Sequence, residues 1–148
     1  MKIIRIIFFM LFLGSMIIIP SCGKKGSPFL PKKEFSFKVV NLEGRLSGDY
    51  IILKGKIEGF YGARKATGLV KGCRVYYGQY PLTNPPCAGC PIKYHGYHEF
   101  GPEVVTGEGF FCQVQGEKKG QINFFKVYLT GSDSAVGPSS KRIRVIVE

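Results

Sequence analysis

Between positions 73 and 112, cysteine and histidine residues have the side chains best suited to chemistry. They are Cys73, Cys87, Cys90, His95, His98 and Cys112. Thiolates and imidazoles are preferred zinc ligands, thiols form disulfides, and a Cys-x-x-Cys pair can carry out thiol–disulfide exchange. The residue types and spacing therefore admit a structural disulfide, a zinc site or a redox site.

The Cys87-x-x-Cys90 pair has the spacing of a zinc knuckle. The other ligands of a tetrahedral site would come from His95, His98, Cys73 or Cys112. A haem attachment site requires His directly after the second cysteine, and Pro91 stands there. A thioredoxin-like pair requires a βαβ context, which a loop bracketed by prolines does not provide. A zinc-binding or thiol-redox protein that uses Cys87 and Cys90 is therefore the alternative to a protein with a structural disulfide.

Catalytic motifs are missing from the sequence. It contains no Gly-x-Ser-x-Gly, no His-Glu-x-x-His and no phosphate-binding loop. The two aspartates, Asp49 and Asp133, stand next to Gly or Ser in turn-like settings. We therefore expect a protein that is not an enzyme.

The elements that would position these side chains are strands. Apolar and polar residues alternate in six segments, at 35–39, 50–57, 73–77, 111–115, 125–129 and 143–147. This alternation predicts half-buried strands, and frequent glycines mark the turns between them. After Cys22 no segment has helical periodicity. The pattern predicts an all-β fold, a single antiparallel β-sandwich.

The first residues read as an export signal rather than as part of this sandwich. Lys2 and Arg5 precede an apolar run at 6–19, which is shorter than the roughly 20 residues of a membrane-spanning helix. Residues 19–22, Ile-Pro-Ser-Cys, resemble the lipobox of bacterial lipoproteins. The resemblance implies cleavage after residue 21 and a covalent lipid (diacylglycerol with palmitate-type chains) on Cys22. An ordinary secretory signal with a nearby cysteine is the alternative.

The residues that follow Cys22 predict a membrane tether. The start Cys-Gly-Lys-Lys-Gly resembles the mature N-terminus of many small Gram-negative lipoproteins, and by that family's sorting pattern Gly23 implies the outer membrane, facing the periplasm or the cell surface. Each lysine beside an anionic membrane adds about 1 kcal/mol of attraction. The lysines concerned are Lys24, Lys25, Lys32 and Lys33. A solvated linker is the alternative.

This gives a signal peptide at 1–21, a lipidated tether at 22–35 and a sandwich at 36–148. The chain carries a net charge of +11, and loss of Lys2 and Arg5 with the signal leaves +9. A positively charged exported domain is expected to lie at the membrane and to bind an envelope protein, an anionic glycan or an anionic lipid. Nucleic acid is not an expected partner.

An exported chain with four remaining cysteines predicts disulfides, for which three connectivities are possible. We favour Cys73–Cys112, because both lie in predicted strands and closing a loop of about 40 residues stabilises by about 4 kcal/mol in the chain-entropy estimate. Cys87 and Cys90 would then pair locally, with a gain of about 2 kcal/mol.

Several strand segments are similar to those of fibronectin type III domains. Residues 72–77, Gly-Cys-Arg-Val-Tyr-Tyr, resemble the third-strand motif of that family, and residues 125–129 with Gly-Pro-Ser-Ser at 137–140 resemble its last hairpin. The resemblance spans 36–148 and implies a fibronectin type III or immunoglobulin-like sandwich. Such a module binds a partner or acts as a spacer. Gly55 stands where the family has a buried Trp, and this chain has none.

Residues 93–100 place aromatic rings and both histidines in one short segment. Such side chains suit a binding surface, and the predicted binding residues are Tyr94, His95, Tyr97 and His98. A packed edge strand is the alternative. The sequence thus predicts a lipoprotein whose sandwich binds or supports structure in the cell envelope, with no cofactor beyond the lipid on Cys22.

Overall fold

Nine antiparallel strands make up most of the part of the chain that the structure describes. The structure is a computed structural model, and it describes residues 34–61, 67–116 and 119–148. The strands are β1 (Lys38–Ser47), β2 (Tyr50–Glu58), β3 (Val70–Pro81), β4 (Gly96–Phe100), β5 (Val105–Thr106), β6 (Gly109–Gln115), β7 (Gln121–Gly131), β8 (Val136–Ser139) and β9 (Ile143–Val147). Three short 3-10 turns, Thr67–Leu69, Pro102–Val104 and Ser132–Ser134, complete the regular structure of these ranges.

The strands form two sheets. One has four strands in the order β1-β2-β6-β5, and the other has the order β4-β3-β7-β8 with β9 also paired to β7. Strands β8 and β9 pair with successive parts of β7, at 128–130 and at 121–125. The inner faces of the two sheets share one hydrophobic core. The predicted all-β antiparallel sandwich is confirmed.

The core is built from alternate residues of both sheets, as the period of two predicts. Leu53 of β2, Val75 of β3 and Val127 of β7 have no exposed surface. The residues between them point outward and are polar, charged or aromatic, such as Lys54, Tyr76 and Lys126. These outward positions are therefore not part of the core between the sheets.

The first strand differs from its prediction. Strand β1 begins at Lys38 and runs to Ser47, whereas the alternation predicted a strand at 35–39. Phe35 forms an isolated bridge with Tyr61 and is buried, so the packed part of the chain includes this last residue of the predicted tether. A bulge between Val40 and Glu43 resets the register, which sequence alternation alone does not reveal.

Gly55 explains how the sandwich is closed without a buried Trp. It lies on the inward-facing row of β2, opposite the bulge of β1. A Cβ atom built on Gly55 would lie 2.5 Å from a methyl group of Val39 and 3.0 Å from the carbonyl oxygen of Val40. The bulge therefore brings β1 close enough to fill the space that a large side chain would need.

The predicted signal, Cys22 and the four tether lysines lie outside the described residues. In the described ranges, no helix has the length and apolar character needed to cross a membrane.

Candidate binding face of the five-stranded sheet

The outer face of the five-stranded sheet brings tyrosines and cations from three strands together. Tyr76 of β3 is the register partner of both Tyr97 on β4 and Lys126 on β7. In the next row, Arg74 is the partner of Tyr128. Directly opposed side chains in antiparallel strands lie about 5 Å apart at their Cβ atoms. The sheet register therefore creates a continuous surface from residues distant in sequence.

Tyr76 is the centre of a cluster of four rings. Its centroid lies 5.1 Å from that of Tyr97, 5.2 Å from that of Tyr128 and 6.1 Å from that of Tyr94. The pairs with Tyr94 and Tyr128 are edge-on, an arrangement that aromatic quadrupoles favour. We call Tyr76, Tyr94, Tyr97 and Tyr128 the tyrosine cluster.

Cations lie over the rings of this face. The guanidinium of Arg74 is 5.4 Å from the centroid of Tyr97, and the ammonium of Lys126 is 5.7 Å from that of Tyr128. Both distances fall within the range of cation–π attraction. Arg74 Nε also donates to Glu99 Oε1 at 2.6 Å, and this carboxylate raises the pKa of Arg74.

The connection between β3 and β4, residues 82–95, borders the tyrosine cluster. The Tyr80 hydroxyl donates to the carbonyl oxygen of Lys93 and accepts from its N–H, both at 3.0 Å. The backbone N–H of Gln79 donates to His95 Nδ1 at 3.0 Å. These contacts hold the end of the connection against β3, and Tyr94 follows directly after Lys93.

A disulfide joins Cys87 to Cys90 within this connection, with Cα atoms 5.3 Å apart. That separation lies in the normal range for disulfides. Arg142, between β8 and β9, donates to the carbonyl oxygen of Cys90 at 3.3 Å. The guanidinium of Arg142 also lies 5.6 Å from the Phe124 ring. The disulfide loop is thus fastened to the far side of the same sheet.

The alternative zinc ligands are not brought together. Within the ranges described, no group of three His, Cys, Asp or Glu side chains is close enough to hold a metal ion. His98 stacks on Tyr77 with centroids 4.9 Å apart and ring planes 19° apart, while His95 lies against Tyr80. Cys87 and Cys90 are bonded to each other.

The four predicted binding residues are divided between two surfaces. Tyr94 and Tyr97 both contact Tyr76 on the outer face. His98 alternates with Tyr97 along β4 and belongs to the opposite side of that strand. His95 lies against Tyr80, in the same row of β3 as Tyr76, and its Nδ1 accepts from the backbone of Gln79. The sequence interpretation missed Tyr76 and Tyr128, because outward-facing residues of predicted strands carry no signal of their neighbours on other strands.

Tyr94 is the half-buried member of the cluster that lies nearest Arg142. Burial raises the pKa of its phenol, and the nearby guanidinium of Arg142 acts more weakly in the opposite direction. The neutral phenol is therefore the favoured form of Tyr94 in the folded protein.

Cys73 and Cys112 lie in the core rather than on this face. Both are buried free thiols in the structure, Cys73 on β3 and Cys112 on β6. A hydrogen bond with Cys112 and burial raise the pKa of Cys73 well above its ordinary value. The favoured Cys73–Cys112 disulfide stays a prediction, and the two side chains belong to the same buried cluster.

Comparison with known proteins gives a fold but no family. No protein-family model matches the chain, and no curated protein resembles it in sequence. The third fibronectin III domain of human KIAA0343 protein is similar in structure, with a TM-score of 0.53, 12% identity, 82% of this chain covered and 90% of that chain. The fold is fibronectin type III-like.

A second structure of similar fold is a DUF3823 family protein from Bacteroides ovatus. It has a TM-score of 0.50 and 14% identity, and the match covers 76% of this chain. The chain spans 56% of the length of that protein. At these identities the likeness shows the fold alone.

Proposed function

We propose that this protein is a membrane-anchored bacterial lipoprotein whose fibronectin III-like sandwich binds a partner or supports structure in the cell envelope. The observation that carries the binding role is the outer face of the five-stranded sheet, where three paired strands present the tyrosine cluster and its cations. Tyrosine and arginine contribute disproportionately to binding energy at protein surfaces.

The anchoring role is supported by the sequence. The lipobox-like residues 19–22 and the basic tether supply two signals, acyl chains and positive charge, and stable anchoring requires two. Outer-membrane placement facing the periplasm or the cell surface is part of the proposal, and it rests on Gly23 after the lipidated cysteine.

The test compares the full chain with its Cys22→Ala variant, both expressed in a Gram-negative host. We expect the unchanged chain to fractionate with membranes and to carry an added mass of acyl chains, and the variant to lose both. Crosslinking in intact cells followed by purification from membranes then identifies partners. Membrane retention of the variant equal to that of the unchanged chain would contradict the anchoring proposal.

The alternative function is that of a zinc or thiol-redox protein that uses Cys87 and Cys90. It is tested on the same purified, unchanged chain. Thiol counting in denaturant, with and without reductant, and elemental analysis of bound metal are the measurements. No stoichiometric zinc and a protected Cys87–Cys90 pair support the binding proposal. Bound zinc, or a pair reduced by mild thiols at equilibrium with glutathione, would support the alternative.

A further inference from the structure

The hydroxyl groups of the tyrosine cluster are available to a ligand. In the part of the chain that the structure describes, no hydrogen bond engages the hydroxyls of Tyr76, Tyr94, Tyr97 or Tyr128. The hydroxyl of Tyr80, by contrast, is fully engaged with Lys93. Each free hydroxyl can donate one hydrogen bond and accept others. The face therefore offers four unassigned polar groups beside four rings.

The same face is positively charged. Arg74 and Lys126 point outward between the rings, and Arg144 follows on β9 as the register partner of Phe124. Among the described strand residues of this outer face, Glu99 is the only carboxylate, and it is bonded to Arg74. Net positive charge favours an anionic ligand, and guanidinium groups bind carboxylates through paired hydrogen bonds.

The arrangement fits a polar ligand better than an apolar one. The cores of protein–protein interfaces are enriched in aromatics but depleted in lysine. On this face, a cation lies within 6 Å of the ring centroids of Tyr97, Tyr128 and Phe124. Of the four clustered tyrosines, only Tyr97 is classed as exposed, with 48% of its surface accessible. A sugar chain offers C–H faces to the rings, hydroxyls to the phenols and carboxylates to the cations.

We propose that the outer face of the five-stranded sheet, formed by the tyrosine cluster with Arg74 and Lys126, binds an anionic polysaccharide through its carboxylates. This deepens the proposed binding function and rests on it. The connection at 82–95, which Arg142 holds at Cys90 and Tyr80 holds at Lys93, forms the border of the site.

The experiment measures binding of the full chain, purified in detergent, to oligosaccharides of polygalacturonate. Dextran oligosaccharides of equal length serve as the neutral probe, and a poly-glutamate peptide serves as the acidic protein probe. We expect saturable binding to polygalacturonate that weakens as salt is raised, because salt screens exposed charges beyond about 8 Å at physiological ionic strength. Dextran and poly-glutamate are expected to bind at least about tenfold more weakly, a difference of about 1.4 kcal/mol.

A matched pair of variants locates the site. Tyr97→Ala with Lys126→Gln removes one exposed ring and one lysine from the proposed face. Phe111→Ala with Lys54→Gln removes one exposed ring and one lysine from the four-stranded sheet, where Lys54 Nζ lies 5.5 Å from the Phe111 centroid. Phe111 is 39% exposed, so the two double variants remove comparable surface and equal charge.

The first double variant should raise the dissociation constant for polygalacturonate about tenfold or more, the scale expected for loss of a ring and a charge contact. The second should change it by less than about twofold. Equal losses in both variants would show non-specific attraction to a basic protein and overturn the proposal. Stronger binding to poly-glutamate or equal binding to dextran would also overturn it.

Membrane fractionation of each variant separates this proposal from the anchoring one. Failure of polygalacturonate binding with unchanged membrane retention overturns the glycan site alone. Partners found by crosslinking in such a case would assign the face to a protein instead. Circular dichroism and unfolding of both double variants confirm that any loss of binding occurs in folded protein.

Discussion

Cys73 on β3 and Cys112 on β6 are buried neighbours on the two facing sheets, and the interaction with Cys112 raises the pKa of Cys73. Their strands do not pair with each other, so a covalent bond here would join the sheets directly. The nearest neighbours in register are Leu129 for Cys73 and Leu53 for Cys112, both without exposed surface. The pair therefore lies in the centre of the core.

We predict that export oxidises Cys73 and Cys112 to a disulfide. The bond closes a loop of about 40 residues and should raise the free energy of unfolding by about 4 kcal/mol on the chain-entropy estimate. A Cys87→Ser/Cys90→Ser background isolates this bond, so that reductant affects it alone. Denaturant unfolding of the oxidised and the reduced protein measures the difference on one sequence.

Peptide mass analysis without reduction should identify the Cys73–Cys112 linkage directly. When the protein is reduced, burial and the raised pKa of Cys73 should protect both thiols from alkylation in the native state. Complete alkylation of both residues in denatured, non-reduced protein isolated after export would show that the bond does not form.

Alternation along the chain predicted the sandwich well because five of the strands bury one side of the sheet and expose the other. The segments at 50–57, 73–77, 111–115, 125–129 and 143–147 all fall within observed strands. Strand β1 deviated because a bulge interrupts its period. Strand β4 was only an alternative, because its residues 97–99 are all exposed and give no apolar alternation.

Only two of the four residues of the tyrosine cluster were predicted from the sequence. Tyr94 and Tyr97 were identified because they lie in one aromatic segment of the sequence. Tyr76 and Tyr128 lie 18 to 34 positions from them in sequence and meet them because β3 pairs with both β4 and β7. Nothing in the local pattern of β3 or β7 indicates which strands are neighbours. Long-range pairing is the information that alternation does not contain.

The packing of β8 against the residues that precede β1 gives a second prediction. A Cβ atom built on Gly137 would overlap the carbonyl oxygen of Phe37 and lie 3.3 Å from the ring of Phe35. Gly137→Ala should therefore lower the free energy of unfolding by about 1 to 3 kcal/mol, the usual cost of overpacking. Denaturant titration measures it.

Gly68 provides the control for Gly137. Nothing lies within 4 Å of a Cβ built there, and its backbone is not in the left-handed region. Gly68→Ala should change the unfolding free energy by no more than about 0.5 kcal/mol, or stabilise slightly by restricting the unfolded chain. Equal effects of the two substitutions would mean that β8 does not lie against Phe37 as described.

Removal of the Cys87–Cys90 bond gives a third prediction. Because the bond closes only four residues, Cys87→Ser/Cys90→Ser should cost at most about 2 kcal/mol of unfolding free energy. Hydrogen exchange should become faster at 82–95, where few backbone hydrogen bonds hold the connection, and should stay unchanged in β3 and β7. Arg142→Gln, which removes the contact with Cys90, is expected to loosen the same segment.

Exchange that accelerates throughout the sheet would contradict this prediction, because it would show that the Cys87–Cys90 bond stabilises the whole sheet and not only the connection. Unchanged exchange at 82–95 would instead show that Tyr80 and His95 hold the connection by themselves.

The fourth prediction concerns stability in alkaline solution. Burial raises the pKa of Tyr94 above its ordinary value near 10. The unfolded chain therefore releases this proton at a lower pH than the folded protein does, and the folded state binds more protons above pH 10. By linkage, the free energy of unfolding should fall as pH rises through this range.

Tyr94→Phe removes the titrating group while keeping the ring, so its unfolding free energy should fall less steeply between about pH 9 and pH 11 than that of the unchanged protein. Tyr50→Phe is the matched control, because Tyr50 is 52% exposed and lies on the other sheet. Denaturant unfolding at several pH values measures the slopes. A slope for Tyr94→Phe equal to that for Tyr50→Phe would show that burial does not raise the pKa of Tyr94.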